Sequence, residues 1–454
     1  MLPLALLAFS RLRPSAAALV ITLGGVMFLP ELVALSIPLI PPLGKNEITM
    51  LCVLVGSLAM ARRDLKLARI GRGVDWFLWF GLLGGTGTIL SNRDPIGLVK
   101  EILPGLTWHD GVRGFIGNCL WWILPFIFGR TFFRSREDGL LLLRGLAGSA
   151  VIYWPLVLIE LRFSPQLHNW VYGFAQHDWL QVLREGGYRP MCFFAHGLAL
   201  ALFLFIATLS GWVLLRSSPR ERPRWLKPAT IALSLLFPFL KSLGSLVFLA
   251  TGTVLVLFTR PRAQLRFALV FTAILCAYPM LRSNDWIPTQ TLVDYSAQYS
   301  QDRAASLNYR FTYENEYLNR ALERPWFGWG GGGRNRGVID GASDGEWVIL
   351  LGAQGYVGYY ARFGLMLVSI LLAMRQSKSL DLAQQRILGG VSLIVGFGAL
   401  DLIFNGLWNI LTLFYCGALA GLSQGMKRGD GRRPANAASL LLRHAILSKL
   451  RSNT

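Results

Sequence analysis

Long apolar runs separated by short basic connectors dominate this chain and limit the folds that it can adopt. A helix that crosses a membrane needs about 20 apolar residues, with a range of about 17 to 25. The sequence has about twelve such segments, at 16–37, 44–61, 74–91, 112–129, 139–160, 191–215, 228–241, 243–258, 266–281, 347–374, 386–402 and 404–424. With 53% hydrophobic residues, the chain is predicted to be an all-α, polytopic membrane helical bundle rather than a soluble protein of several domains.

The formal net charge of +20 is concentrated in the connectors. Lys and Arg collect at 62–73, 130–138, 216–227, 259–266, 375–379 and 427–433. The positive-inside rule assigns such segments to the cytoplasm. We therefore expect both termini in the cytoplasm and three longer external connectors, at 92–111, 161–190 and 282–346. The charge then indicates orientation and contact with anionic membrane lipids, not nucleic-acid binding.

The run from 228 to 258 fits either one long helix or two short helices broken at Lys241 and Ser242. Because both flanks are basic, only a hairpin leaves both of them in the cytoplasm. We therefore predict a hairpin with Lys241 at its external tip. The transmembrane domain is expected to span 1–426, with the external loop 282–346 inserted before the last three spans. A basic cytoplasmic tail follows at 427–454, and the apolar N-terminus is expected to be a retained helix rather than a signal peptide.

The cysteine and histidine residues indicate neither a disulfide framework nor a metal site. The five cysteines lie in or beside apolar runs without CxxC spacing, which is typical of small buried thiols. His168, His177 and Asp178 fit no strong ligand pattern. We therefore predict no metal and no cofactor.

Arg189 and His196 stand at the start of a mid-chain helix in the sequence GYRPMCFFAHGLAL. A charged side chain near the membrane interior is costly unless it is paired or faces water, which makes Arg189 a functional candidate. The alternatives are an arginine that extends to the lipid headgroups and a histidine satisfied within the bundle. Lys241 is predicted on the same side, where it could instead cap a helix end. Together, Arg189 and Lys241 would suit a diphosphate.

The longest polar segment, 310–346, combines arginines, carboxylates, aromatic side chains and a glycine run. Its first part is helix-compatible and ends at Pro325, after which FGWGGGG forms an irregular turn. The glycine run matches neither a phosphate-binding P-loop nor a dinucleotide fingerprint. Asp344 and Glu346 then stand at the start of the next apolar helix, where they are either N-cap residues or candidates for a general base.

Three short motifs in this region resemble the signature of the O-antigen ligase and O-antigen polymerase superfamily of bacterial envelope enzymes. They are the arginine helix that begins at Arg310, the sequence PWFGWG at 325–330, and SDGEW at 343–347 followed by GYVG at 355–358. The upstream GYRPMCFFAHGLAL is similar to the arginine-bearing segment of that family. About twelve helices with one large external loop before the last few also agree with it.

The resemblance implies a C-type glycosyltransferase-like fold and a metal-independent enzyme. Such an enzyme transfers a glycan from an undecaprenyl-diphosphate carrier to an acceptor hydroxyl at the external face of the bacterial inner membrane. Arg189 and Arg310 match the arginines that hold the diphosphate, and Lys241 is a further cation. Asp344 falls where the ligases commonly have a histidine, so Asp344 or Glu346 becomes the candidate base, and these two with Arg310 form the predicted catalytic group.

The departures from the family pattern favour a polymerase of exopolysaccharide or capsule repeats over an O-antigen ligase. The ligase histidine is missing, and Lys241-Ser242 replaces the usual Ser-Arg pair. Trp326, Trp329 and His196 are the predicted glycan contacts, although tryptophan at a membrane interface is also a common anchor.

The implied partners are the carrier-linked glycan, membrane lipids and other polysaccharide assembly proteins. A transporter or flippase of lipid-linked oligosaccharide is the alternative function. It predicts polar residues at several helix midplanes, where Asp401 is the clearest charge.

Overall fold

The computed structural model describes residues 1–67, 73–98, 101–177, 182–184, 187–217 and 222–427. These residues are mainly α-helical, as predicted. They also contain two short antiparallel hairpins, formed by Ile96–Gly97 (β1) with Ile102–Leu103 (β2) and by Leu183–Arg184 (β3) with Gly187–Tyr188 (β4). The predicted cytoplasmic tail, after residue 427, lies outside the described residues.

Six helices in the described part of the chain are long and apolar enough to cross a membrane. They are Trp108–Phe132 (α6, Trp108–Asn118, joined by a π-helical turn to α7, Leu124–Phe132), Arg136–Phe163 (α8), Gly197–Ser217 (α10), Pro261–Ser283 (α13), Glu346–Ser377 (α16) and Leu382–Phe404 (α17). The remaining helices are shorter or more polar: Leu2–Arg11 (α1), Pro14–Phe28 (α2), Lys45–Met60 (α3), Arg62–Leu67 (α4), Trp76–Ser91 (α5), Leu167–Tyr172 (α9), Leu226–Leu236 (α11), Leu243–Phe258 (α12), Thr289–Ala297 (α14), Gln301–Leu322 (α15) and Ile410–Lys427 (α18). In the same described residues, 3-10 turns lie at Gly73–Asp75 and Phe237–Leu240.

Each of the twelve predicted segments overlaps a helix, but the structure does not confirm twelve crossings. The segment predicted at 16–37 is helical only to Phe28, because Pro30 disfavours a helical residue before it and cannot continue the ladder. The segment predicted at 404–424 becomes helical at Ile410. The number of helices that cross the membrane stays a prediction.

Local sequence explains where several helices begin. Ser135 Oγ accepts a hydrogen bond from the Asp138 N–H at 3.1 Å, which caps α8. The Asp381 carboxylate accepts from the Gln384 N–H at 2.8 Å and caps α17 in the same way. Both are capping boxes, which satisfy N–H groups that have no partner inside the helix.

Small residues let the central helices approach one another closely. A methyl group at Gly417 in α18 would collide with the Phe126 carbonyl of α7. One at Gly396 in α17 would lie 2.7 Å from the Cα of Ala268 in α13. Close backbone approach of this kind is typical of membrane helices, where packing rather than burial from water drives association.

The predicted helical hairpin is present. After α11 and its 3-10 turn, Lys241 adopts a left-handed conformation (φ 54°), and α12 begins two residues later. Both arms pack on α10. At the last turn of α10, the guanidinium of Arg216 donates hydrogen bonds to the carbonyls of Val256 and Leu257 in α12. Lys241 therefore lies at the opposite end of α10 from Arg216.

Parts of the basic connectors 130–138, 216–227 and 259–266 meet at the Arg216 end of the bundle. Arg13, between α1 and α2, pairs with Glu137 at the start of α8 (2.9 Å). The Arg386 guanidinium donates to the Arg216 carbonyl at 2.8 Å. The long polar connectors pack together elsewhere, as where Arg334 donates to a carbonyl of the 92–106 loop at 2.7 Å. The separation of the basic connectors from the long polar connectors is compatible with the topology predicted from the charges. The orientation of the chain in the membrane stays a prediction.

Candidate active site

A cavity of about 980 Å³ lies at the Lys241 end of the bundle. Its walls come from the β3–β4 hairpin, the start of α10, the tip of the α11–α12 hairpin, α15 and the connectors before α16 and after α17. Five of the eight predicted site residues line it: Arg189, His196, Lys241, Arg310 and Asp344. They belong to four segments that are far apart in the chain, so only the tertiary fold brings them together.

Arg189 and Lys241 share one wall of the cavity. The Arg189 Nη2 donates to the Lys241 carbonyl at 2.7 Å. The aliphatic part of Arg189 packs against Gly197 at the start of α10, where a Cβ would collide with it. The Lys241 Nζ lies 3.3 Å from the position that a Cβ would occupy at Gly187 in β4. The tip of the α11–α12 hairpin and the β3–β4 hairpin thus hold both cations at this wall.

Arg310 and Asp344 form an ion pair that lines the same cavity. The Arg310 Nη2 lies 3.0 Å from Asp344 Oδ2, and the two side chains are 37% and 51% exposed. Arg310 is presented by α15, whereas Asp344 precedes the first residue of α16. A solvated pair of this kind can exchange its partners, because an anionic ligand competes with the carboxylate for the guanidinium.

His196 lies against a second histidine of the cavity wall. The ring centroids of His177 and His196 are 4.9 Å apart, and His196 Nδ1 accepts a hydrogen bond from the Leu198 N–H at 3.0 Å. Within the described ranges, no group of three or more His, Cys, Asp or Glu side chains is placed to hold a metal ion. Asp178 lies outside those ranges.

Glu346 does not line the cavity, although it is only two residues from Asp344. Gly345, the N-cap of α16, packs so tightly that a Cβ there would lie 2.8 Å from the Ile403 carbonyl of α17. Glu346 is then turned toward the α17–α18 connector, and its charge interacts with that of Arg362 further along α16. Of the two candidate carboxylates, the structure therefore places only Asp344 with the cations.

Trp326 and Trp329 are also absent from the lining of this cavity. Trp329 is buried, and its Nε1 donates to the Arg320 carbonyl at 2.7 Å. The guanidinium carbons of Arg320 and Arg324 lie 3.3 and 4.2 Å from its ring centroid. Trp326 is 67% exposed and lines a separate apolar groove of about 610 Å³. Of the three predicted glycan contacts, only His196 reaches the cavity.

The motifs PWFGWG and GYVG form one backbone junction. α16 is interrupted at Gly355, whose φ of 61° and ψ of −171° are not helical. The N–H groups of 329–330 donate to the carbonyls of 352–353 at 2.8 and 2.9 Å. Those of 356–357 donate to the carbonyls of 325–326 at 2.6 and 3.2 Å. Backbone groups that leave the helical hydrogen-bond pattern need other partners, and this junction supplies them by joining the segment after α15 to α16.

Glu314 is a buried carboxylate that the sequence analysis did not single out. It lies one turn after Arg310 in α15, and its Oε2 is 3.6 Å from Arg282 Nε. Its Oε1 accepts a hydrogen bond from Trp347 Nε1 at 3.3 Å. Burial raises the pKa of Glu314 to about 6, although the nearby Arg282 charge acts in the opposite direction. In the sequence, Glu314 follows Arg310 by four residues, a spacing that places both side chains on one face of a helix and could have identified it.

A comparison of the chain with protein-family models gives no match, and a comparison with curated proteins gives none either. The similarity to the O-antigen ligase and polymerase superfamily therefore stays a prediction from short motifs.

Proposed function

We propose that this protein is a polysaccharide polymerase or ligase of the bacterial inner membrane, which transfers a glycan from an undecaprenyl-diphosphate carrier to an acceptor hydroxyl on the external face. One observation carries the proposal: Arg189, Lys241 and Arg310, from three separate segments, line one cavity together with Asp344. Fixed cations stabilise the negative charge that develops on a departing diphosphate.

In the proposed reaction, the acceptor oxygen attacks the anomeric carbon while the bond from that carbon to the carrier diphosphate breaks. The electron pair of that bond leaves with the diphosphate, and the configuration at the anomeric carbon inverts. Asp344 takes the proton of the acceptor hydroxyl. Because Arg310 pairs with Asp344 at 3.0 Å, a bound diphosphate competes for this guanidinium and releases the carboxylate to act as the base.

The proposal includes a C-type membrane architecture with about twelve crossings and both termini in the cytoplasm. Two features support it. Each predicted segment overlaps a helix, and the cavity lies at the opposite end of α10 from Arg216, where parts of three basic connectors meet.

The test replaces Arg189, Arg310 and Asp344 singly with alanine and measures polymer length and carrier-linked intermediates in cells. We expect each variant to lose long product and to accumulate carrier-linked units on the external face. Arg336→Ala and Asp340→Ala are matched controls, since both residues are exposed in the same loop and neither lines the cavity. All variants are compared at equal abundance in the membrane.

Normal product from all three cavity variants would falsify the proposal. Accumulation of intermediates on the cytoplasmic face would instead indicate a flippase of lipid-linked oligosaccharide.

A further inference from the structure

A buried, non-helical segment at 190–194 connects two residues of the cavity, Arg189 before it and His196 after it. Connecting segments usually lie at the surface, because buried backbone N–H and carbonyl groups need hydrogen-bond partners. Pro190 has no N–H, so the first backbone donors after Arg189 are those of Met191 and Cys192. The partners of this segment must therefore come from other parts of the chain.

Glu160, in the last turn of α8, supplies the acceptor for both of these donors. Its Oε2 accepts hydrogen bonds from the N–H groups of Met191 and Cys192, each at 2.7 Å. Its Oε1 accepts from the Leu167 N–H at 3.2 Å, and the side chain is fully buried. Cys192 has a φ of 50°, which is uncommon for a residue other than glycine. The buried carboxylate thus holds the backbone after Arg189 in an unfavourable conformation.

Two further buried polar side chains bind the carbonyl groups of the same segment. Gln176 Nε2 donates to the carbonyls of Cys192 and Phe194 at 2.9 and 3.3 Å. Lys45 Nζ, at the start of α3, donates to the Phe193 carbonyl at 3.0 Å. Burying polar side chains is costly, and here three of them, from distant parts of the chain, bind one short segment. Such a segment has little freedom to move.

The position of Arg189 depends on this segment. Its N–H donates to the Val182 carbonyl at 3.0 Å, which fixes the backbone before it. Its side chain lies across Gly197, the first residue of α10, and reaches the Lys241 carbonyl. The backbone between Arg189 and Gly197 therefore sets where the guanidinium enters the cavity wall. A displacement of about 1 Å in such a group can cost about a hundredfold in rate.

We infer that Glu160 is a positioning residue of the proposed diphosphate site, which holds Arg189 in the cavity wall through the backbone of Met191 and Cys192. Gln176 supports the same segment from its carbonyl side. Glu160 does not line the cavity, so it acts through Arg189 and not on the substrate. The inference rests on the proposed function and goes beyond it, because the proposed reaction gives Glu160 no role.

Two variants release the segment in different ways. Glu160→Met keeps the length of the side chain and removes both acceptor oxygens, whereas Gln176→Met removes the donor to two carbonyls. Glu160→Gln is the conservative variant, since its one amide oxygen can still accept from both N–H groups. Gln264→Met is the matched control: Gln264 is also buried and donates to the Leu255 carbonyl at 3.1 Å, at the Arg216 end of the bundle.

The probe is farnesyl diphosphate, which carries a diphosphate on a short prenyl chain, and its Kd is measured by calorimetry on the full-length protein in detergent. We expect Glu160→Met and Gln176→Met to raise the Kd about tenfold, the effect of losing one hydrogen bond to a charged group. Glu160→Gln should raise it less. Gln264→Met should leave it unchanged, whatever its effect on the unfolding temperature. In Arg189→Ala, adding Glu160→Met should raise the Kd no further, because the guanidinium that it positions is gone.

A wild-type Kd in both Glu160→Met and Gln176→Met overturns the inference. An equal loss of affinity when Glu160→Met is added to wild type and to Arg189→Ala also overturns it, because Glu160 would then support the fold and not Arg189. If Glu160→Met does not fold, Gln176→Met and its combination with Arg189→Ala decide. The proposed function fails separately, when Arg189→Ala and Arg310→Ala transfer glycan at the wild-type rate.

Discussion

At the scale of single residues, the Arg310–Asp344 pair is expected to serve function more than stability. Both partners are substantially exposed, and exposed pairs contribute about 0.2–1 kcal/mol. Asp344→Asn should therefore lower the free energy of unfolding by less than about 1 kcal/mol while abolishing glycan transfer. Thermal unfolding in detergent measures the first effect. The buried Arg130–Asp75 pair is the contrast: Asp75→Asn leaves a buried cation and should cost about 3–5 kcal/mol. A large loss of stability in Asp344→Asn would contradict a mainly functional role for the Arg310–Asp344 pair.

Glu314 is expected to make stability depend on pH. Its pKa is raised from 4.5 to about 6 by burial, so the folded state favours the protonated form. The resulting stabilisation, about 2 kcal/mol, is fully present below pH 4.5 and is lost as the pH rises through about 6. The difference in unfolding free energy between wild type and Glu314→Gln should therefore fall by about this amount between pH 4 and pH 7. Glu316→Gln, which removes an exposed carboxylate two residues further along α15, is the control for the change of charge.

At the scale of elements, the broken helix α16 depends on its junction with residues 325–330. Gly355 has a backbone conformation open essentially only to glycine, and a Cβ there would collide with the Trp326 backbone. Gly355→Ala should destabilise the protein by at least about 2 kcal/mol and displace Asp344, with loss of activity. Gly331→Ala is the control, because its φ is not positive and a Cβ there meets no atom within 4 Å. Equal unfolding temperatures for the two variants would contradict the requirement for glycine at position 355 of the junction.

At the scale of the whole molecule, the cavity and the basic connectors should face opposite sides of the membrane. Val338 is 73% exposed in the loop before α16, and the Glu137 side chain is 69% exposed at the start of α8. A membrane-impermeant maleimide added to intact spheroplasts should label Val338→Cys, and should label Glu137→Cys only after permeabilisation. Wild type supplies the background, since its five cysteines are buried or partly buried. Labelling of both positions from the same side would refute the topology.

Much of the architecture could be predicted because it depends on local properties of the chain. The hairpin break at Lys241-Ser242 follows from basic flanks on both sides of one apolar run, and α11 and α12 separate at that point. The end of α2 at Phe28 was missed because a 16–37 window measures hydrophobicity and gives no weight to Pro30. Glu314 was missed because its burial depends on Arg282 and Trp347, which belong to two other helices.

The sequence alone determined which segments are helical, that several of them are long and apolar enough to cross a membrane, and which polar residues were worth considering, because run length, charge and motif are properties of neighbouring residues. Only the tertiary structure decided which of those side chains share a site. It joined Arg189, Lys241, Arg310 and Asp344 in one cavity and left Glu346 out of its lining, with Glu346 Oε2 packed against Gly406 of the α17–α18 connector. That contact joins distant parts of the chain, and no local pattern encodes it.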